Sequence, residues 1–212
     1  MERLFAVEFS YKKGFIMTRG AVISIIVLIA TSSAIAGDIR GKVKARGWKH
    51  SGDAVVHIDK IQGKTFPAPA KHAAMDQKNL VFIPHILPVL AGTTVDYQNS
   101  DDVLHNVFSP DKCAEKFNLG TWPKGQTRSY LFKEAGCFPV MLCNVHPEME
   151  AYIVVLDNPY FAVSAKDGSY EITNVPAGKY TLKIWHERLK SQSVEVQVPE
   201  TGDVVVDFEI RR

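Results

Sequence analysis

Short runs in which apolar and polar residues alternate cover most of this chain, and no stretch sustains a period near 3.6 residues. Ile39-Arg40-Gly41-Lys42-Val43 and Ala54-Val55-Val56-His57-Ile58 read as strands separated by a Gly-containing turn. Leu80-Val81-Phe82-Ile83-Pro84 and Ile86-Leu87-Pro88-Val89-Leu90 are apolar runs. Their prolines suit a sheet edge, because proline cannot donate to a ladder. After a turn at Ala91-Gly92, Thr94, Asp96 and Gln98 alternate with Val95 and Tyr97. Residues 129–132 and 140–142 read as strands flanking Glu134-Ala135-Gly136, and residues 151–156 close this first set. Residues 64–79, with Pro67, Pro69 and many polar side chains, read as a loop. Beyond Asp157-Asn158-Pro159 a turn is expected at Asp167-Gly168-Ser169-Tyr170, and residues 181–185, 193–198 and 204–210 again alternate. The pattern predicts an all-β protein.

The first 36 residues read as an address. Lys12, Lys13 and Arg19 precede the apolar run 21–30, and Ala34-Ile35-Ala36 makes a small-residue cleavage site before Gly37. Met17 offers a second start that would still leave a compact signal peptide. The apolar run is short for a bilayer, so no stable membrane span is expected, an uncleaved anchor being the alternative. The chain carries 25 basic and 23 acidic residues, of which four and two fall in residues 1–36, so the remainder is balanced. No basic run occurs, which argues against nucleic acid as a partner. A periplasmic location is expected, and there disulfides persist.

The chemistry concentrates in Cys143-Asn144-Val145-His146-Pro147-Glu148-Met149, where a thiol, an imidazole and a thioether recur at intervals of three. Soft sulfur with imidazole suits copper, and two His, one Cys and a weak Met form an electron-transfer set. One histidine must come from elsewhere, and His105, in Asp101-Asp102-Val103-Leu104-His105-Asn106-Val107, is the candidate. The competing reading of such a cysteine is a small buried hydrophobe. Zinc is disfavoured because a structural zinc site wants four Cys or His ligands and has no use for Met149. Cys137 lies too far before Cys143 for a binuclear copper loop, and no paired His-x-His occurs.

These residues resemble the cupredoxins, the small blue-copper proteins, and the tight C-x-x-H-x-x-M loop is most similar to that of amicyanin. The resemblance implies a Greek-key β-sandwich with one mononuclear type 1 copper held by His105, Cys143 and His146, with Met149 axial. It also implies that Asn106 supports the site, its backbone N–H reaching the Cys143 sulfur while its side chain pins the ligand loop. Pro147 would stiffen that loop.

The run from Asp167 to Leu182, D-G-x-Y-x-I-x-x-V-P-x-G-x-Y-x-L, resembles the carboxypeptidase regulatory-like, or prealbumin-like, β-sandwich module. The expected organisation is a signal peptide over 1–36, a cupredoxin domain over 37–157 and this module over 158–212. Residues 37–58 are similar to the module's opening strands, and packing on that module instead is the alternative for them. The combination resembles exported proteins labelled methylamine-utilisation proteins.

No Ser or Cys nucleophile motif or phosphate-binding loop occurs, so an enzyme is not expected. Two functions stay open. One is a one-electron carrier between exported redox donors and acceptors. The other is an exported copper-binding module for delivery, storage or complex assembly. A β-sandwich adhesin with structural Cys and His is a third class. Trp185-His186-Glu187 reads as a half-exposed strand end, His72 and Met75 as loop residues, and His85 as surface. Three cysteines leave one unpaired; if Cys143 binds metal, Cys113 and Cys137 pair, with their loops at the ligand end of the sandwich.

Overall fold

The computed structural model describes Ala36–Arg212, so residues 1–35 of the expected signal peptide lie outside the described residues. The chain opens with β1 (Ala36–Ala45) and β2 (Val55–Ile58). It continues through β3 (Ala73–Lys78), β4 (Val81–Ile83), β5 (Ile86–Leu90), β6 (Thr93–Asn99) and β7 (His105–Phe108). After the 3₁₀ turn Lys112–Ala114 come β8 (Asn118–Trp122), β9 (Thr127–Phe132), β10 (Val140–Leu142) and β11 (Glu150–Leu156). The last part holds β12 (Phe161–Val163), β13 (Ser169–Pro176), β14 (Gly178–Trp185), β15 (Gln192–Val198), β16 (Val204–Val205) and β17 (Phe208–Ile210). The protein is all-β. Among the described residues no helix is long and apolar enough to cross a membrane.

Four sheets form two sandwiches. In the first, β4-β3-β6-β9 faces β5-β11-β10-β7-β8 across a core that includes Met75, Tyr97, Val107, Trp122, Met141, Ile153 and Cys143. In the second, β13-β1-β16, with β17 also on β1, faces β12-β2-β14-β15. Ile39, Val56, Ile172, Leu182, Ile184 and Phe208 are buried between those two sheets. Thus β1 and β2 pair with strands from the far end of the chain, and β3 to β11 lie between β2 and β12 in sequence. A third apolar cluster, Val55, Ile86, Val154 and Leu156 with Phe138, Tyr152, Phe161 and Trp185, joins residues of both sandwiches. Burying such apolar surface supplies about 25 cal/mol per Å².

Several local readings change. Residues 73–78, expected in a loop, form β3, parallel to β6 from Ala73↔Val95 to Gln77↔Asn99. Alternation was masked because the inward position after Met75 is the fully buried Gln77, whose Nε2 donates to the Gln98 carbonyl at 3.1 Å. Residues 204–210 break into β16 and β17. At the break the Val206 carbonyl approaches Gly41 so closely that an added Cβ would overlap it. There the Asp207 carboxylate, in place of a ladder carbonyl, accepts the Lys42 N–H at 2.7 Å. Pro88 does lie on an edge, since β5 pairs only with β11 in its sheet.

Cys113 and Cys137 form a disulfide with Cα atoms 5.5 Å apart, but not at the end of the sandwich expected. The antiparallel register decides this: Phe108 opposes Leu142, and Leu142 opposes Glu150. His105 and Cys143 therefore share one end. The chain beyond Phe108 and the chain before Val140 meet at the other, where the Val155 N–H donates to the Cys137 carbonyl. The disulfide closes a loop with a sequence separation of 24 at that far end. Replacing both cysteines by Ser should lower stability by about 3 kcal/mol in the chain-entropy account. Denaturant unfolding of the double variant measures this; an unchanged midpoint would contradict it. Thiol titration of denatured, metal-free oxidised protein should count one free cysteine.

Candidate metal centre

Two segments build the site. β7 starts at His105, fully buried, and β10 delivers Cys143, 3 % exposed, one residue past its end. The chain then turns through His146 and re-enters the core at Met149, 1 % exposed. The Met149 N–H donates to the His146 carbonyl at 3.0 Å and closes that turn. One ligating atom from each of His105, Cys143 and His146 lies within 4.8 Å of the others. The Nδ1 atoms of His105 and His146 stand 3.1 Å apart, and the Cys143 Sγ is 3.9 Å from the His146 Nδ1. Met149 is buried in the same core as Cys143. Cys143 is the free cysteine among the described residues.

Neighbouring bonds aim these donors. The Asp101 carboxylate lies 2.9 Å from the His105 Nε2, so that nitrogen carries the proton and Nδ1 keeps its lone pair. Asp101 also accepts the N–H groups of Asn79 at 2.7 Å and Leu80 at 3.0 Å. Burial pushes its carboxyl up, but the Leu80, His105 and Asn79 hydrogen bonds together outweigh burial and hold it below the ordinary carboxylate range. Asn106 is buried, and its backbone N–H donates to the Cys143 Sγ at 3.4 Å. Its Oδ1 accepts the Asn144 N–H at 3.2 Å, and its Nδ2 donates to Asn118 Oδ1 and the Gly120 carbonyl, both at 2.8 Å.

The donor set suits a cation. Two imidazole nitrogens with lone pairs turned toward each other repel unless a proton or metal sits between them. Nitrogens each about 2.0 Å from a shared ion stand about 3 Å apart. Imidazole and thiol favour copper or zinc over magnesium and calcium, which take oxygen.

Of the residues singled out in the sequence, His105, Cys143 and His146 come together, with Asn106 and Met149 beside them. His72 does not join them and instead pairs with Asp96 at 3.0 Å, and Met75 is a core residue of β3. His85 is not simply surface: its Nδ1 meets the Glu150 carbonyl at 3.0 Å and its Nε2 meets Glu187 at 3.1 Å. Asp101 was missed as a partner of His105, although its spacing four residues before the histidine was visible.

No family model matches this chain, and no curated protein matches it. Solved structures similar over part of it include a purple cupredoxin from Nitrosopumilus maritimus. That protein is 26 % identical over 39 % of this chain and 98 % of its own, with a TM-score of 0.35. A copper-containing nitrite reductase from Thermus scotoductus is 22 % identical over 48 % of this chain and 27 % of its own, with a TM-score of 0.38. An amicyanin mutant in its Cu(I) form is 25 % identical over 42 % of this chain and 85 % of its own, with a TM-score of 0.37.

The lowered carboxyl of Asp101 makes a stability contribution that is present above its unfolded value and lost as pH falls through the folded one. Asp101→Asn should therefore destabilise the metal-free protein at pH 7 by about 1 kcal/mol. The difference from the parent should shrink as pH falls below the ordinary carboxylate range and Asp101 takes up its proton. Urea midpoints of the two proteins across pH measure it, and a gap that persists in acid would assign the loss to packing.

Proposed function

We propose that the protein is an exported one-electron carrier with one mononuclear type 1 copper held by His105, Cys143, His146 and Met149. The observation that carries this reading is the convergence of the His105, Cys143 and His146 donor atoms within 4.8 Å in a largely buried site. Bound copper would supply a one-electron couple. The chain's own part is to hold its donors still while charge changes. Cys143 would bind as thiolate, and the Asn106 N–H would then share the sulfur's negative charge. Asp101 fixes the His105 tautomer, and the Met149-to-His146 bond sets the span of the loop. His146 is only partly buried, so its edge would be the way in and out for the electron.

Export is supported by the Cys113–Cys137 disulfide, which suits an oxidising compartment such as the periplasm. Partners would then be exported redox donors and acceptors. For organisation we propose a cupredoxin-type sandwich ending near residue 157, followed by a carboxypeptidase regulatory-like module over 158–212 on which residues 37–58 pack. Non-enzymatic electron transfer, not turnover of a substrate, is the activity proposed.

Adding Cu(II) to metal-free protein should give an intense thiolate-to-copper band in the visible. Cys143→Ser should abolish that band and leave a folded protein, because serine keeps the volume but offers hard oxygen; an unchanged spectrum would remove Cys143 from the ligand set. A reversible voltammetric wave supports the carrier, whereas copper binding without one would point to delivery or storage.

Met149→Leu should retain copper and colour while raising the reduction potential. Leucine fills the space without donating, which disfavours Cu(II). Complete loss of copper in that variant would mean that Met149 is no weak ligand.

A further inference from the structure

We propose that Glu187 and Arg188, on the second sandwich, are positioning residues for the metal-site loop of the first. Glu150 is the residue after Met149, and it opens β11 opposite Leu142, the residue before Cys143. A closed ring of polar contacts begins and ends on it. The His85 Nδ1 stands 3.0 Å from the Glu150 carbonyl and its Nε2 3.1 Å from the Glu187 Oε1, two acceptors that the side chain satisfies together as the imidazolium, with an N–H on each nitrogen. The Glu187 Oε2 pairs with the Arg188 Nε at 3.4 Å, and the Arg188 Nη2 donates to the Glu150 Oε1 at 2.7 Å. Tyr152 donates its O–H to the same Oε1 at 3.1 Å. The ring thus grips both the backbone and the side chain of one residue.

The anchor on the other side is firm. The Glu187 side chain is 9 % exposed, and a carboxylate so buried is stable only with its partners in place. The Arg188 N–H donates to the His186 Nδ1 at 3.1 Å, which holds the turn from which both side chains project. Trp185, just before, packs its ring 5.6 Å from those of Tyr152 and Phe138. An isolated half-exposed Arg–Glu pair would contribute little. Closure through the buried Glu187 makes the arrangement cooperative. Because the loop from Cys143 to Met149 is tied at its start by Asn106, the Glu150 ring supplies its second fixed end. The second sandwich thereby takes part in setting where Met149 lies.

The effect on the metal rests on the copper reading above; the effect on the loop does not. Arg188→Ala and Glu187→Ala are therefore compared with the parent in two ways. In metal-free protein, amide hydrogen exchange over residues 143–152 should speed up about tenfold while β13 to β15 keep their protection. In copper-loaded protein, the ratio of Cu(I) to Cu(II) affinity should change about tenfold, read as a potential shift of about 59 mV. Arg188→Lys, which keeps the charge toward Glu150, should recover part of both. Unchanged exchange and potential in the alanine variants would overturn the proposal. So would a loss of protection spread evenly over β13 to β15 that Arg188→Lys does not restore, since that marks a packing role within the second sandwich. Should the parent give no thiolate–copper band, the copper reading fails, and the exchange comparison still decides whether the ring holds the loop.

Discussion

The bond on which the centre depends is the donation of the Asn106 backbone N–H to the Cys143 sulfur at 3.4 Å. It joins two segments far apart in the chain, and it exists only because β7 and β10 pair with Phe108 opposite Leu142. A slip of one residue would turn each side chain to the opposite face of the sheet, taking His105 or Cys143 out of the core. The Asn106 side chain guards that register: both its oxygen and its nitrogen are engaged, on either side with Asn144, Asn118 and Gly120. Aspartate would lack the donors, and an apolar residue would leave the Asn144 N–H without its side-chain acceptor. The same residue therefore sets sheet register, loop shape and the sulfur's surroundings.

Built this way, the donor atoms converge through the protein's own bonds. Asp101 orients one imidazole from behind, the Met149 N–H sets the turn holding the other, and the sulfur is fixed by burial and by Asn106. Supporting bonds that lock the donors before anything binds are what distinguish a site from a chance cluster. They also limit how far the donors can move, which suits the electron exchange proposed for the site.

The proposed metal loop was legible because Cys143, His146 and Met149 are local, spaced by three residues, and the flanking strands are short alternating runs. What escaped the sequence depends on pairing between distant segments. β3 was hidden because Gln77, a polar residue, is fully buried at an inward position where alternation demands an apolar one. The disulfide was legible as a pairing from the count of cysteines, but its place required the direction of β10: Cys137 lies before that strand and Cys143 just past its end, so the chain carries them to opposite ends. His85 reads as surface in a proline-flanked run, and nothing local to it points to Glu187, 102 residues away.

That long-range contact follows from how the chain is threaded. The first sandwich leaves the second after β2 and returns at β12, and these two strands are themselves paired, with His57 opposite Phe161. The buried Asn158 ties the two crossings together by donating to the carbonyls of Ile58 and Asp59 at 2.9 and 3.2 Å. An insertion whose ends meet costs its host little loop-closure entropy, whatever its length. One such waist alone would let the inserted sandwich rock. Val154 and Leu156 of β11 pack in the shared cluster with Val55 of β2, and Glu150 lies near the opposite end of β11. Contacts at both ends of one strand resist rotation in a way that either alone cannot. The strand so held is the one that begins immediately after Met149.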